Sequence, residues 1–514
     1  MRKGISMILA AILLLCPLTA GAVSTEDMVP YTGIQENQYL LDMKLGDHVL
    51  WEWGEEYLLC EVTWNSLLLE EESAQRFPEL ARTLEKMNLA KLLAMQDEMA
   101  WMLPIAQDVA NENMYCTSES KYYVQRSDDV MLSVREDVYA FTGGAHPNTG
   151  TFGINIDCES GEELKLSDVL TDTKHALEIA ADMLNEEYSI GEFMDVDEAI
   201  ANLTEGELEW TMDEKGLTLY FYPGQIAPYA AGQMNVTLWY EDHFELFNGK
   251  YLPIYCTAYA KEIPLFEEIE IDLVKGDDKR DVLSVSAYMD AEGYAYEQYF
   301  ITINGEALNV AERYSYYVVP YLLTIDDGHA VNYYLYIDET SDNDYHSLSI
   351  FALTEEGARF ETEISGIGFG SQWDMEREAS YSDVFNNPAD FRLATRLDIL
   401  GTMTGFKHYS VHEDSGYFIA QEDWYDVSDA EMQVSSLFPM EVTMLDTNEK
   451  ETMPAHTTFT FLRTDGYTYM EAQLDDGREC RIPVRRDYEG NSFITTVEGE
   501  KIDWECFEEV FYAG

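Results

Sequence analysis

From about Pro264 onward the helical spacing of apolar residues largely disappears, and short apolar-alternating runs take its place: 282–288, 299–303, 316–323, 331–337, 347–353 and 360–364. Most of the separators are rich in Asp, Gly, Glu or Asn, residues that turn a chain and end a strand. A segment built this way buries one face of each strand and cannot form a helical bundle, so the middle of the chain is predicted to be a sandwich or a propeller. No clean repeat period sets a blade count.

The first half reads differently. Residues 38–64 alternate apolar and polar around Gly46-Asp47 and Gly54-Glu55, which predicts a small antiparallel sheet with turns at both dipeptides. From Ala74 to Val109, Leu80, Leu84, Met87, Leu89, Leu92, Leu93 and Met99 recur mostly at steps of three and four, the spacing of a helix that Pro104 should kink or end. Strands are expected at 121–124 and 130–139. A hairpin around Glu159-Ser160-Gly161 follows, then a helix entered at Ser167-Asp168 and apolar from Ala176 to Leu184. Further strands are expected at 208–212, 217–222 and 234–240, so this half is predicted to be an α+β domain. Residues 387–402 read as irregular. At the other end, Thr464-Asp465-Gly466 and Asp475-Asp476-Gly477 separate the apolar runs 459–462, 467–473 and 478–484, the strand-turn-strand pattern of a small barrel. That stretch resembles a bacterial SH3-like module, a type used in cell-wall attachment.

Arg2 and Lys3 precede an apolar run from Met7 to Cys16, followed by Ala20-Gly21-Ala22. This is the pattern of a secretory signal peptide over residues 1–22, cleaved after Ala22 or retained as a membrane anchor. The run is shorter than the roughly 20 residues a membrane-crossing helix needs. The chain is therefore expected to be secreted or held at the cell surface. Its 98 acidic residues against 31 basic ones give a formal charge of −67. Nucleic acid and anionic lipid would be repelled, and a cationic partner would be drawn in.

Two segments carry the functional reading: Thr142-Gly143-Gly144-Ala145-His146-Pro147-Asn148, and Tyr222-Pro223-Gly224-Gln225-Ile226-Ala227-Pro228-Tyr229-Ala230-Ala231-Gly232. Gly143 and Gly144 allow backbone angles closed to other residues, Pro147 fixes the exit, and His146 is the one titratable group of its loop. Either segment could present ligand contacts between strands, with Gly143, Gly144, His146, Asn148, Tyr222, Gln225 and Tyr229 as the candidates. The alternative is structural: a turn whose histidine bonds its own backbone, and a crossover folded under Trp239. With the strand-turn-strand run 153–170 between them, the two segments resemble the extracellular domain of RsiV-type anti-sigma factors and PdaC-type peptidoglycan deacetylases of Gram-positive bacteria. The resemblance implies an extracellular recognition domain over 23–250, ahead of a β-rich region at 265–435 and the SH3-like module at 438–514. It also implies an envelope binding protein whose ligand is peptidoglycan or a cationic protein of lysozyme type, in a sensor or inhibitor role. The alternatives are a peptidoglycan or glycan hydrolase, associated with deacetylation, and a structural surface protein.

Sequence motifs for other chemistry are sparse. There is no H-E-x-x-H, G-x-S-x-G or P-loop sequence, and no counterpart of the deacetylase metal-binding region, so the reading leans away from an enzyme. No cofactor is implied apart from calcium, for which Asp272, Asp277, Asp278 and Asp281 are weak candidates: Val274 and Gly276 stand where ligands would be wanted. His408 and His412 have a zinc-like spacing for a helix but lie in a strand-like run, where four residues span roughly 13 Å. An exported setting permits disulfides among Cys60, Cys116, Cys158, Cys256, Cys480 and Cys506, with Cys480 to Cys506 the most local pairing in the C-terminal module.

Overall fold

The structure, a computed structural model, describes residues 40–510 apart from 112–113, 189–195, 254–257, 277–278, 292, 327–329, 342–344, 375–376, 413–414, 428–432, 490–491, 498–500 and 509. The signal segment at 1–22 lies outside the described residues.

Strands β1 (Met43–Trp53) and β2 (Leu58–Leu69) form a hairpin closed at Gly54-Glu55, where the Gly54 N–H donates to the Tyr57 carbonyl at 2.9 Å. Gly46-Asp47, expected as a turn, instead lies within β1. Gly46 pairs with Ser66 on one side and Tyr381 on the other, and a β-carbon there would stand 2.4 Å from the Tyr381 ring. The glycine answers a packing demand from a residue more than 300 positions away. Helix α1 (Glu71–Arg76) ends at Phe77, and α2 (Pro78–Val109) begins with proline, whose missing N–H has no partner to lose in a first turn. The single helix expected from Ala74 is thus two, and α2 continues past Pro104. Met102 and Ala106, packed on Cys60, Val62 and Trp64, supply the tertiary contact that keeps the last turns helical.

Strands β3 (Cys116–Ser127), β4 (Met131–Phe141) and β5 (Asn148–Asp157) extend the sheet. Because α1 and α2 carry the chain back along the sheet, β3 runs parallel to β2, while β3, β4 and β5 pair antiparallel. Beyond Trp64, β2 leaves β3. The Asn88 side chain of α2 there takes both backbone groups of Leu67, accepting from its N–H at 3.1 Å and donating to its carbonyl at 2.8 Å.

Helices α3 (Leu166–Val169), α4 (Thr173–Tyr188) and α5 (Val196–Ala201) precede a three-stranded meander, β6 (Glu209–Met212), β7 (Gly216–Phe221) and β8 (Met234–Trp239). The cap of α3 is Lys165, whose N–H donates to the Asp168 carboxylate at 2.9 Å, so Asp168 serves from inside the first turn rather than as the cap itself. Ala176, Ala180, Ala181 and Leu184 of α4 pack on Met212, Leu217, Leu219, Val236 and Leu238. The meander also meets β5 backbone to backbone: a β-carbon on Gly153 would lie 1.8 Å from the Trp210 carbonyl oxygen. Gly153→Ala is therefore expected to force the sheets apart and cost about 1–3 kcal/mol, the usual range for overpacking. A urea midpoint unchanged from wild type would refute this contact.

The middle region forms two sheets. One has the order β10 (Glu268–Ile271), β11 (Asp281–Met289), β12 (Tyr296–Ile303) and β13 (Glu306–Val310). The other has the order β17 (Gly357–Ser365), β16 (Tyr345–Thr354), β15 (Val331–Ser341), β14 (Tyr317–Asp326) and β9 (Ala258–Glu262). Leu283, Val285, Ile301 and Ile303 of the first meet Leu322, Leu335, Ile337 and Phe351 of the second in one core, the layering of a sandwich. The second sheet is buried on its other face too, where Leu323, Tyr336, Leu348 and Ile350 meet Phe385, Phe391, Leu393 and Val411. Strands β18 (Ser371–Asp374) and β19 (Ala379–Asp383) then return to pair with β1, giving the seven-stranded order β18-β19-β1-β2-β3-β4-β5.

The stretch expected to be irregular contains a regular strand, β20 (Phe391–Asp398), paired along its whole length with β21 (Thr402–Val411). The three runs expected near the C-terminus are strands at Thr458–Thr464, Tyr469–Leu474 and Glu479–Glu489, and they join β20 and β21 in one extended sheet. The protein is mostly β, at 53% strand against 18% helix, and among the described residues none of its sheets closes into a barrel.

Candidate functional site

Alternation along the seven-stranded sheet sorts its side chains into two sets. Cys60, Val62 and Trp64 of β2, Cys116 of β3, Leu132 and Val134 of β4 and Ile154 and Ile156 of β5 lie in the cores under α2. The intervening Glu61, Thr63, Glu119, Lys121, Arg135, Asp137, Tyr139, Thr149 and Thr151 therefore face away from the helix. Where the residues before and in β10 pass over this second face they leave a cleft of about 600 Å³. Its lining includes Glu119, Lys121, Asp137, Tyr139, Thr149 and Thr151 on one side and Phe266, Glu267, Glu268 and Glu270 on the other, with Gln233, Asn235 and Thr237 of the meander at the end.

Five carboxylates thus share one cleft, and their partners differ. Arg135, almost wholly buried, donates to both oxygens of Asp137 at 2.8 Å and to both of Glu267, and lies against the rings of Tyr123 and Tyr220. Burial opposes that charge, but the hydrogen bonds it donates to Glu267 outweigh this and hold the guanidinium firmly protonated. Lys121 is similar: burial works against its ammonium, and Glu262 at 2.7 Å more than compensates. Glu270 accepts from the Trp239 indole at 3.1 Å. No ion pair neutralises Glu119 or Glu268 among the described residues, and both are exposed. Lys121 also feels Glu119 but is paired with Glu262, so carboxylates outnumber cations along the cleft lining.

The two segments singled out in the sequence come together at this end of the sheet. The 142–147 loop joins β4 to β5, with Gly143 at φ +80° and Val109 at the end of α2 closing the space beside it. The second loop is anchored from below by buried Ile226 and Ala227 and bends at Gly224 and Gly232, at φ +90° and +79°. The rings of His146 and Tyr229 lie 5.8 Å apart. His146 also bonds its own backbone, Nδ1 to the Pro147 carbonyl at 3.0 Å, as the structural reading of the loop expected. Gln225 is used as a brace: its side chain accepts from the Tyr222 N–H at 3.1 Å and donates to the Glu207 carbonyl at 2.9 Å. Tyr222 and Tyr229 are 48% and 57% exposed, and Asn148 and Gly144 are exposed as well, so these four are open to a ligand while Gln225 is committed. Gln233, one residue past the second loop, ties it to the cleft by donating to the Thr151 hydroxyl at 2.9 Å, while Asp137 accepts from the same hydroxyl at 2.7 Å.

Glu119, Asp137, Glu267 and Glu268 were not legible as site residues, since one carboxylate among 98 has no distinguishing neighbour in sequence. A second exposed group extends the same sheet face: the Trp51 indole donates to Glu61 at 2.8 Å and the Tyr115 hydroxyl to the other Glu61 oxygen at 3.3 Å. Trp51 and Trp53 are both more than half exposed.

Of the calcium candidates, Asp277 and Asp278 lie outside the described residues. Asp272 and Asp281 are buried and brace their own loop: Asp272 accepts from the Val274 N–H, and Asp281 from the Leu273 N–H and the Asn304 amide. Among the described residues no three His, Cys, Asp or Glu side chains are grouped to hold a metal. His408 lies in β21, as the strand reading required, and bonds Asp390 at 2.6 Å. Cys480 is buried in the C-terminal core together with Cys506, and the bond between them is not formed in this structure.

Comparison with known proteins adds one family. Residues 167–241, from α3 to the end of the meander, match the family described as a protein of unknown function, DUF3298. Two solved structures resemble part of the chain. A DUF3298 family protein of Pseudomonas aeruginosa PAO1 is 19% identical over 42% of this chain and 98% of its own, with a TM-score of 0.30. A DUF3298 family member of Bacteroides fragilis NCTC 9343 is 17% identical over 41% and 96%, with a TM-score of 0.29. No curated protein matches. The segment that carries the second loop and the floor of the meander is thus a DUF3298 domain.

Proposed function

We propose that this is an exported cell-envelope binding protein, of the RsiV/PdaC-like kind, that recognises a cationic protein of lysozyme type as a sensor or inhibitor. The observation that carries this is the meeting of the His146 and Tyr229 loops beside a cleft with two exposed carboxylates, Glu119 and Glu268, that form no ion pair among the described residues. Aromatic faces and free carboxylates together suit arginine and lysine side chains, through ion pairs and cation–π contact. The net charge of −67 would speed encounter with such a partner, and more so at low salt. The strands beyond residue 438, read as an SH3-like module, would serve wall attachment.

Lysozyme binding by the purified chain is the direct test. The double change Glu119→Lys with Glu268→Lys is expected to weaken it by at least roughly tenfold and to flatten its salt dependence. Tyr229→Ala should cost about 1–2 kcal/mol of binding, as loss of an aromatic anchor does, with His146→Ala costing less. Failure of the wild-type chain to bind lysozyme at low salt would sink the proposal. A second reading rests on the exposed Trp51, whose ring could stack on a sugar face: capture of purified peptidoglycan lost in Trp51→Ala would favour a wall ligand. Release of sugar or acetate from that wall would instead assign a hydrolase or deacetylase.

A further inference from the structure

Cys60 and Cys116 stand directly opposite one another across β2 and β3, the one parallel strand pair among the described residues. Both are free thiols in this structure and lie in the same apolar cluster under α2, with Met102 and Ala106 over them and no solvent exposure. Neighbouring strands are about 4.8 Å apart, and in-register side chains of a parallel pair leave the sheet on the same side. That spacing falls inside the roughly 4.4–6.8 Å between α-carbons that a disulfide bridges, and closing the β-carbons to the roughly 3.5–4.5 Å it also needs takes only a small local approach of the two strands.

We propose that Cys60 and Cys116 are a disulfide site, oxidised in the exported protein, that fastens the parallel β2–β3 register. The bond closes a loop containing the whole of α1 and α2. Its function follows from the other side of the same strands: Glu61, next to Cys60, receives Trp51 and Tyr115, and Tyr115 is next to Cys116. A fixed register on the buried face holds that exposed aromatic group in place on the open one.

In forming the bond, the two Sγ–H bonds break and one S–S bond forms. Two protons and two electrons pass to a small-molecule disulfide such as oxidised glutathione, which leaves as two thiols after a mixed-disulfide step. Burial pushes the Cys60 thiol up to about 11 and raises Cys116 in the same way, so the reactive thiolate is scarce once the core has closed. Oxidation accordingly belongs to folding, before α2 docks.

The experiment is refolding of the reduced full chain in a reduced/oxidised glutathione buffer, trapping of remaining thiols by alkylation in denaturant, and peptide mapping without reduction. The expected result is a Cys60–Cys116 linked peptide and a melting temperature higher by roughly 5 °C than that of the reduced chain. The mapping needs no variant, so it does not depend on a substituted core folding. Alkylation of both cysteines in a chain that has regained its native circular dichroism would overturn the proposal. Linkage of either to Cys158, Cys256, Cys480 or Cys506 would do the same.

Discussion

Arg135→Ala is expected to lower the free energy of unfolding by about 3 kcal/mol, near the low end of the roughly 3–5 kcal/mol seen when one partner of a buried ion pair is removed. The guanidinium is 7% exposed and binds both oxygens of Asp137 and of Glu267, so its loss leaves two carboxylates facing each other across the cleft. Those carboxylates are 26% and 31% exposed, and the water that reaches them keeps the penalty from the upper end. Urea denaturation measures it. The triple change Arg135→Met, Asp137→Asn, Glu267→Gln should recover most of the loss, because no uncompensated charge then remains. A loss below about 1 kcal/mol for Arg135→Ala would mean that the clamp between β4 and the segment before β10 does not brace the cleft.

The second large effect lies behind the cleft, at the turn between β6 and β7. Lys261 of β9, 6% exposed, pairs with Asp213 at 2.6 Å, while Lys215 of the same turn donates to the Glu270 carbonyl at 2.9 Å. Lys261→Met is expected to cost about 3–5 kcal/mol by stranding Asp213, again read from denaturant midpoints. Burial pushes Glu214 up to about 7 even with Lys261 nearby, and its Oε2 has no hydrogen-bond partner among the described residues. The sign is set by proton uptake. Between the ordinary glutamate value of about 4.5 and about 7 the folded chain keeps a proton that the unfolded chain has released, so stability falls as pH rises through that window and levels off above it. Asp213 acts oppositely: burial alone would raise it, Lys261 brings it down to about 2, and the stability it contributes is lost as pH falls from its ordinary value of 3.8 toward 2. Glu214→Gln should therefore remove the decline between pH 4.5 and 7 and leave the acid limb in place. A variant whose pH profile overlays the wild type would show that Glu214 is not the group responsible.

Much of the strand order was legible from residues alone. The runs beginning near Val282, Tyr299, Tyr316, Val331, Ser347 and Phe360 all became strands, because each alternates in a way that only a pleated, partly buried element satisfies. The misreadings share a cause. Gly46 resembles a turn glycine, but Tyr381 requires the space; Pro104 resembles a helix end, but packing on β2 carries α2 through it; 391–398 resembles a loop, but pairing with β21 makes it a strand. In each case a partner distant in sequence outweighed the local preference. The candidate site divides in the same way. Glycine, proline and aromatic residues marked the two loops, while the acids beside them were hidden among dozens of equivalent ones.

Local sequence determined what depends on neighbours along the chain: the periodicities that separate helix from strand, the turns at Gly54, Gly466 and Gly477, and a surface charge that any fold of this composition would carry. Tertiary structure alone decided which carboxylates share a cleft, that His146 meets Tyr229, that β18 and β19 return to β1, and that Cys60 faces Cys116. The reason is that contact between residues far apart in the chain is set by the closing of whole sheets on a common core, and no local window contains both partners.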